Sequence, residues 1–257
     1  MADNKSLHLL FDNKYKFDDK VWIKVPTVRE VAFDKSFDTF SHIFCVYTRE
    51  LFAPFREIDE LQERYPTIWE MIFDDKNGGD IQLGQMFGVT YPASALIMEG
   101  LSYWTGLDVN GFRKLLNGKI IHESGWILDK NKFDDFCSVI RSIVGYKMNQ
   151  DLVPPEGKMS DRKFEIWQKL YKNRLKRAMR DAKKGGLANR IIFFQASYSS
   201  YVDIDSIGNM NYFHFNTLLK TLSQKEGYQR NWEVRLSPKY DTSNSKVPKH
   251  WSETIEV

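Results

Sequence analysis

SDRKFEIWQKLYKNRLKRAMRDAKKGG, from Ser160 to Gly186, carries a helical apolar stripe and most of the chain's positive charge in one segment. Phe164, Trp167, Tyr171, Leu175, Ala178 and Ala182 recur at steps of three or four, the spacing that brings side chains onto one face of an α-helix. Ser160 is placed to cap the start, Asp161 falls in the first turn, Lys183 and Lys184 in the last, and Gly185 and Gly186 follow as a stop. At ~1.5 Å per residue, roughly 24 helical residues span about 36 Å, well beyond an average globular helix. An apolar stripe of that length needs a cover.

Between Lys158 and Arg190 there are twelve basic and three acidic residues, a net charge of +9. The whole chain carries 37 basic and 34 acidic residues, +3, so everything outside this segment sums to −6. An acidic body with one basic arm implies contact with an acidic surface. The cations expected on the outer face are Arg162, Lys169, Lys172, Lys176, Arg180 and Lys183, with Trp167 and Tyr171 interleaved, and these eight residues are the candidate partner-binding set. The same charged face is also what any solvated helix presents, and the two aromatics lie on the stripe, where they serve as core before they serve as stacking platforms.

With 257 residues, 42% hydrophobic and 28% charged, the chain is long enough for one large or two small globular units. The aromatic share of 14% is high, and most of these side chains are expected in the core. Cys45 and Cys137 are too few for a disulfide framework and fit a reducing compartment. No apolar run approaches the ~18 residues of a membrane helix, and the first residues, MADNKSLHLLFDNKYKF, lack the apolar stretch of a signal peptide. The expectation is a soluble, cytoplasmic protein.

Toward the N-terminus, SLHLLF and KVWIKVP read as two extended pieces of a small hairpin separated by DNKYKFDD, and Pro26 with TVREV marks a helix start. Phe37, Phe40, Phe44, Tyr47 and Leu51 form a helical stripe up to Pro54; Ile58, Leu61, Tyr65, Ile68 and Ile72 form another, interrupted at Pro66, and the two are expected to pair. Pro92 opens a helix that Gly106 ends. GKIIHESGWIL, residues 118 to 128, predicts a central hairpin, after which Asp129 caps a helix with Phe133, Phe136, Val139, Ile140 and Ile143 inward. Beyond the basic helix come a helical run through LANRIIFFQASYSSY, a loop through DIDSIGNMN, a helix from about Phe213 to Lys225 stopped at Gly227, and an extended polar tail. The expected fold class is mainly α: a helical protein with small N-terminal and central β-hairpins and one long basic amphipathic helix. The expected units are an N-terminal helical unit (1–152), a connection with the basic helix (153–187), a C-terminal helical unit (188–235) and a tail (236–257).

Local signatures of catalysis are missing. His8, His42, His122, His214 and His250 are dispersed, His42 and Cys45 complete no ligand set, and no phosphate-binding glycine loop or nucleophile elbow occurs. Asp203 and Asp205 in DID have a spacing that a metal can use but that arises readily by chance. The expectation is a non-enzymatic protein without metal or cofactor.

The run KVWIKVPTVREV, the segment HESGWILDKNKFDDFCSVIRSIVGYKMNQ, the basic KLYKNRLKRAMRDAKK, the helix NYFHFNTLLKTLSQKEGYQ and the late KHWSETI resemble, in this order over roughly residues 20 to 255, the tail assembly chaperones of phages of Gram-positive bacteria. The resemblance implies a mainly helical, non-enzymatic factor in the host bacterial cytoplasm that binds the tape-measure protein and helps tail-tube subunits polymerise around it. It supplies no agreed set of functional residues, and AFDKSFDTFSHIFCVYTRELFAPF after PTVREV is more aromatic than the family pattern. A structural virion component of neck, tail or baseplate, and a nucleic-acid-binding factor acting through the basic helix, remain as alternatives; self-association is a further possibility, and a membrane partner is not expected.

Overall fold

A computed structural model describes residues 4–155, 157, 160–197, 201–240 and 246–255. Among them are thirteen α-helices and two small antiparallel sheets, so the mainly helical class with small hairpins holds.

The chain begins with α1 (Asn4–Phe11), followed by β1 (Lys14–Lys16) and β2 (Trp22–Lys24), which pair antiparallel with Tyr15 opposite Ile23. The predicted N-terminal hairpin is therefore shifted: SLHLLF is helical, and its partner strand comes from the polar DNKYKFDD. The physical reason is distant in sequence. Leu9 is buried, and the carbonyls at the C-terminal end of α1 accept hydrogen bonds from the Asn211 side-chain amide, at 2.6 Å for Leu9 and 3.1 Å for Asp12. A helix end satisfied from 200 residues away leaves no trace in local periodicity.

Thr27 opens α2 (Val28–Phe33) through a capping box with Glu30. The first aromatic stripe splits into α3 (Phe37–Cys45) and α4 (Thr48–Leu51), and the second into α5 (Ile58–Arg64) and α6 (Ile68–Ile72) around Pro66. The two stripes do not chiefly pair with each other, because α3 packs mainly against two later helices, α8 (Ala93–Thr105) and α9 (Lys130–Val144). Between α6 and α8 in the chain lies α7 (Gly79–Met86), which sequence periodicity does not announce. Its position depends on backbone proximity: a Cβ added at Gly84 would stand 2.2 Å from the Tyr91 carbonyl oxygen.

Gly106, at φ +73°, ends α8 as expected. The central hairpin is part of a three-stranded sheet, β3 (Phe112–Leu115), β4 (Lys119–His122) and β5 (Ile127–Leu128), in that order. Asp129 then caps α9 by accepting from the Lys132 N–H at 3.0 Å. Its inward residues Phe133, Phe136, Val139, Ile140 and Ile143 are all buried, and the rings of Phe133 and Phe136 meet Phe44, Trp69 and Trp126 at 4.9–6.3 Å.

After the basic helix, α10 (Asp161–Lys184), come α11 (Leu187–Ser197), α12 (Ile204–Asn209) and α13 (Tyr212–Leu236). Two expectations change here. The DIDSIGNMN stretch contains α12, capped by Asp203 through the Ser206 N–H at 2.8 Å, while Asp205 pairs with Arg29. Gly227 does not stop α13, since an interior glycine costs only about 1 kcal/mol relative to alanine and the tail covers this half of the helix. His250 packs edge-on against Tyr228 at 5.1 Å, and the Arg235 guanidinium donates to the Lys246 carbonyl at 3.0 Å. Residues 246–255 thus lie back on α13, ending in a short 3-10 turn (Trp251–Thr254). Residues 241–245 of the expected extended tail lie outside the described residues, as do 198–200 of the predicted LANRIIFFQASYSSY helix.

One buried cluster runs from Leu9 through the residues of α3, α8 and α9 to Phe194, Phe215 and Leu219. First and last helices share this core, so the body that supports α10 is built from both ends of the chain.

Candidate functional site

The local chemistry of α10 follows its sequence. The Ser160 hydroxyl accepts from the Lys163 N–H at 3.4 Å, and the Gly185 N–H closes the last turn on the Asp181 carbonyl at 2.9 Å. Ion pairing between Asp161 and Arg56 ties the first turn to the body.

Trp167 is the pin. It is 5% exposed, and its indole N–H donates to the Ala53 carbonyl at 3.0 Å. The Tyr171 ring packs on it at 5.8 Å, and burial pushes the Tyr171 hydroxyl above its ordinary pKa. The Arg174 guanidinium lies 5.8 Å from the Trp167 ring and donates to the Asp151 carbonyl at 2.8 Å, which holds the helix against the 3-10 turn Gln150–Leu152. Phe164, Leu175 and Ala178 are half-buried, whereas Ala182 is exposed. The stripe is covered along most of its length and opens at its end. Trp167 and Tyr171 therefore position the helix against the body, and Trp167 presents almost no surface to a partner.

The cations point elsewhere. Arg162, Lys169, Lys172, Lys176 and Arg180 are exposed, and the side chain of Lys183 lies outside the described residues. At ~100° per residue, all six positions fall within an arc of about 80° on the side of the helix away from Trp167, with Glu165 as the one carboxylate on that arc. Among the described residues, Arg162, Lys169, Lys172 and Lys176 meet no hydrogen-bond or ion-pair partner; Arg180 reaches only its neighbour Asp181, at 3.4 Å. The sequence charge run thus becomes a linear row of cations along the exposed side of a helix about 36 Å long.

One feature of the surface is not apparent from the sequence stripe. Ile166 and Leu170, 51% and 44% exposed, sit four residues apart and form a second apolar ridge beside the covered stripe, and Met179 is exposed as well. The i, i+4 spacing of Ile166 and Leu170 is the available signal, masked by the longer stripe next to it.

Elsewhere the buried polar and thiol groups are taken up by the fold. Asp80 is buried, accepts from the Ser94 N–H at 2.7 Å and hydroxyl at 2.6 Å, and pairs with Lys114 at 2.9 Å, which caps the start of α8. The buried ring of His122 bonds the Asp108 carbonyl at 3.1 Å and Ser124 at 3.0 Å. Cys45 and Cys137 are both buried; burial pushes the Cys45 thiol up to about 12 and raises Cys137 likewise, the environment of inert thiols. No group of three or more His, Cys, Asp or Glu able to hold a metal ion occurs among the described residues, and Asp203 and Asp205 have the cap and ion-pair roles given above. None of the described helices is long and apolar enough to cross a membrane.

Comparison with protein-family models, with curated proteins and with solved structures finds no match to this chain.

Proposed function

We propose that the chain is a non-enzymatic assembly chaperone of the phage tail, binding the tape-measure and tail-tube proteins in the host cytoplasm through α10. The observation that carries this is the row of exposed cations on a helix pinned to the body by Trp167, with the Ile166–Leu170 ridge beside it. An acidic, helical, aggregation-prone client offers complementary charge and an apolar stripe to such a surface, and amphipathic helices laid along one another are a common recognition mode. The row of charge steers and orients the encounter, while the ridge supplies area that leaves water on binding. The same row also fits nucleic-acid phosphates, which would bind with steep salt dependence.

The test is co-expression with the tape-measure and tail-tube proteins followed by co-purification, using wild type and a Lys172→Glu, Lys176→Glu, Arg180→Glu triple variant. The expected outcome is a complex with wild type that the triple variant loses while keeping its fold by circular dichroism. Absence of a complex with either protein would overturn the proposal, as would a triple variant that binds like wild type. Stoichiometric presence in purified particles would favour a structural virion component, and salt-sensitive binding of duplex DNA without either protein complex would favour the nucleic-acid alternative.

A further inference from the structure

The three-stranded sheet of β3, β4 and β5 has two faces of different character. Alternation along the strands turns Phe112, Ile120, His122 and Leu128 inward, where all four are buried. Arg113, Leu115, Lys119, Ile121 and Ile127 stand on the other face. Outward positions of an antiparallel sheet with one solvated face are normally polar. Here Leu115, Ile121 and Ile127 are apolar, and Ile127 is 47% exposed.

The apolar residues form a line. Ile127 pairs with Ile121, and Ile121 is diagonal to Leu115, because Arg113 pairs with Ile121 and Leu115 with Lys119. Leu116 extends the line into the turn between β3 and β4 and is 95% exposed. High strand propensity accounts for the two isoleucines. It does not account for Leu116, because turns favour small polar residues and the φ of +76° that this turn needs is supplied by Gly118. A side chain so exposed adds almost nothing to the packing of the body.

Two cations border the line, one on each side: Arg113 beside Ile121 and Lys119 beside Leu115. Both are exposed, and among the described residues neither meets a hydrogen-bond or ion-pair partner. Lys114 differs, since it turns to the opposite face and is held by Asp80 at 2.9 Å and Asp75 at 3.0 Å. The three strands carry no Asp or Glu. Glu123, just past β4, is exposed and makes no ion pair with Arg113 among the described residues.

We infer that this face docks one amphipathic α-helix of a partner protein, with its apolar stripe on the line from Ile127 to Leu116 and its flanking carboxylates on Arg113 and Lys119. Width and charge select this occupant. Strands about 4.8 Å apart make the face about 10 Å wide, close to the diameter of one helix, and a helix laid on an apolar sheet face is a common layer arrangement. Unpaired cations on both sides of the line match a stripe bordered by Asp or Glu. They oppose a second copy of the same face, which would bring like charges together.

An environment-sensitive fluorophore attached at Asn117→Cys, in the turn beside the line, reads docking at this face of the full chain. Cys45 and Cys137 are buried, so the added thiol is the one that takes the label. The probe is a synthetic helical peptide of about four turns, with a leucine stripe flanked on both sides by glutamates. Wild type should give a saturating response. An Arg113→Glu, Lys119→Glu variant should need about tenfold more peptide, from two exposed charge pairs lost and reversed, and Ile127→Ser also about tenfold more, from apolar area left in water. The Lys172→Glu, Lys176→Glu, Arg180→Glu variant of α10 should respond within about twofold of wild type, since screening confines exposed charges to their own neighbourhood. Circular dichroism checks folding, and Arg113→Gln, Lys119→Gln replaces the charge reversal if that variant does not fold. No response to the glutamate peptide would overturn the inference. So would an equal response to the peptide with lysines in place of glutamates or to a proline-broken version that cannot form a helix, or an α10 variant that loses as much as the sheet variant. A signal that rises with protein concentration alone, with dimers in sedimentation, would overturn it in favour of a second copy. Because the client complex is read separately by co-purification, failure here leaves the role of α10 standing.

Discussion

Replacing Asn211 with alanine should loosen the joint between the two ends of the chain. Its side chain does two jobs from a buried position: Oδ1 accepts from the His214 N–H at 3.0 Å, capping α13, and Nδ2 donates to the carbonyls of Leu9 at 2.6 Å and Asp12 at 3.1 Å, closing α1. Losing an N-cap costs about 1 kcal/mol and leaving the buried Leu9 carbonyl without its donor about 1 kcal/mol more, while water can reach the carbonyl of the exposed Asp12, so Asn211→Ala should destabilise by about 2 kcal/mol. For a chain of this size that corresponds to a fall in melting temperature of about 4–8 °C, read by calorimetry or by circular dichroism during heating. Two further variants separate the jobs. Asn211→Ser keeps a capping oxygen and should recover about 1 kcal/mol of the loss. Asn211→Asp keeps the cap but sets an oxygen where the amide donor stood, 2.6 Å from the Leu9 carbonyl, and should melt no higher than the alanine variant. An alanine variant within about 2 °C of wild type would refute the reasoning, since ~0.5 kcal/mol is less than even one lost cap. An aspartate variant that melts with wild type would refute the role of the amide.

Trp167→Ala should release α10 without unfolding the body: hydrogen exchange across 161–184 should accelerate while α8 and α9 keep their protection, and unchanged exchange in α10 would count against Trp167 as the pin. The Asp74 carboxyl is held below its ordinary 3.8 by the Tyr65 hydroxyl foremost, against opposing burial, with Asn77 and Arg64 adding to the effect. A folded pKa below the unfolded one contributes stability that is full above 3.8 and vanishes as pH falls through the folded value, so Asp74→Asn should melt below wild type at neutral pH, with the gap closing as pH falls below 3.8. A gap that does not change over that range would refute the assignment.

The elements most legible in the sequence are those whose signals are local. The Thr27 and Asp129 caps, the Gly106 stop, the inward stripe of α9 and the span of α10 are each set by side chains within a few residues of the backbone they act on. For the candidate site, the charge run itself is readable, because helical periodicity alone sorts Arg162, Lys169, Lys172, Lys176 and Arg180 onto one side. What hides the Ile166–Leu170 ridge is ambiguity about how wide the covered stripe is, and that width depends on the shape of the body facing it.

The helical class, the length and charge of α10 and the face on which its cations stand are all readable from the residues alone, since they follow from the 3.6-residue period and from capping within one turn. Long-range packing is what makes SLHLLF a helix, carries α13 through Gly227 beneath the returning tail and turns Trp167 toward the body rather than a partner. The physical reason is shared: each is fixed by a donor, ring or charge distant in the chain, such as Asn211 on Leu9, His250 on Tyr228 or Trp167 on Ala53, and local pattern does not encode which distant partner arrives.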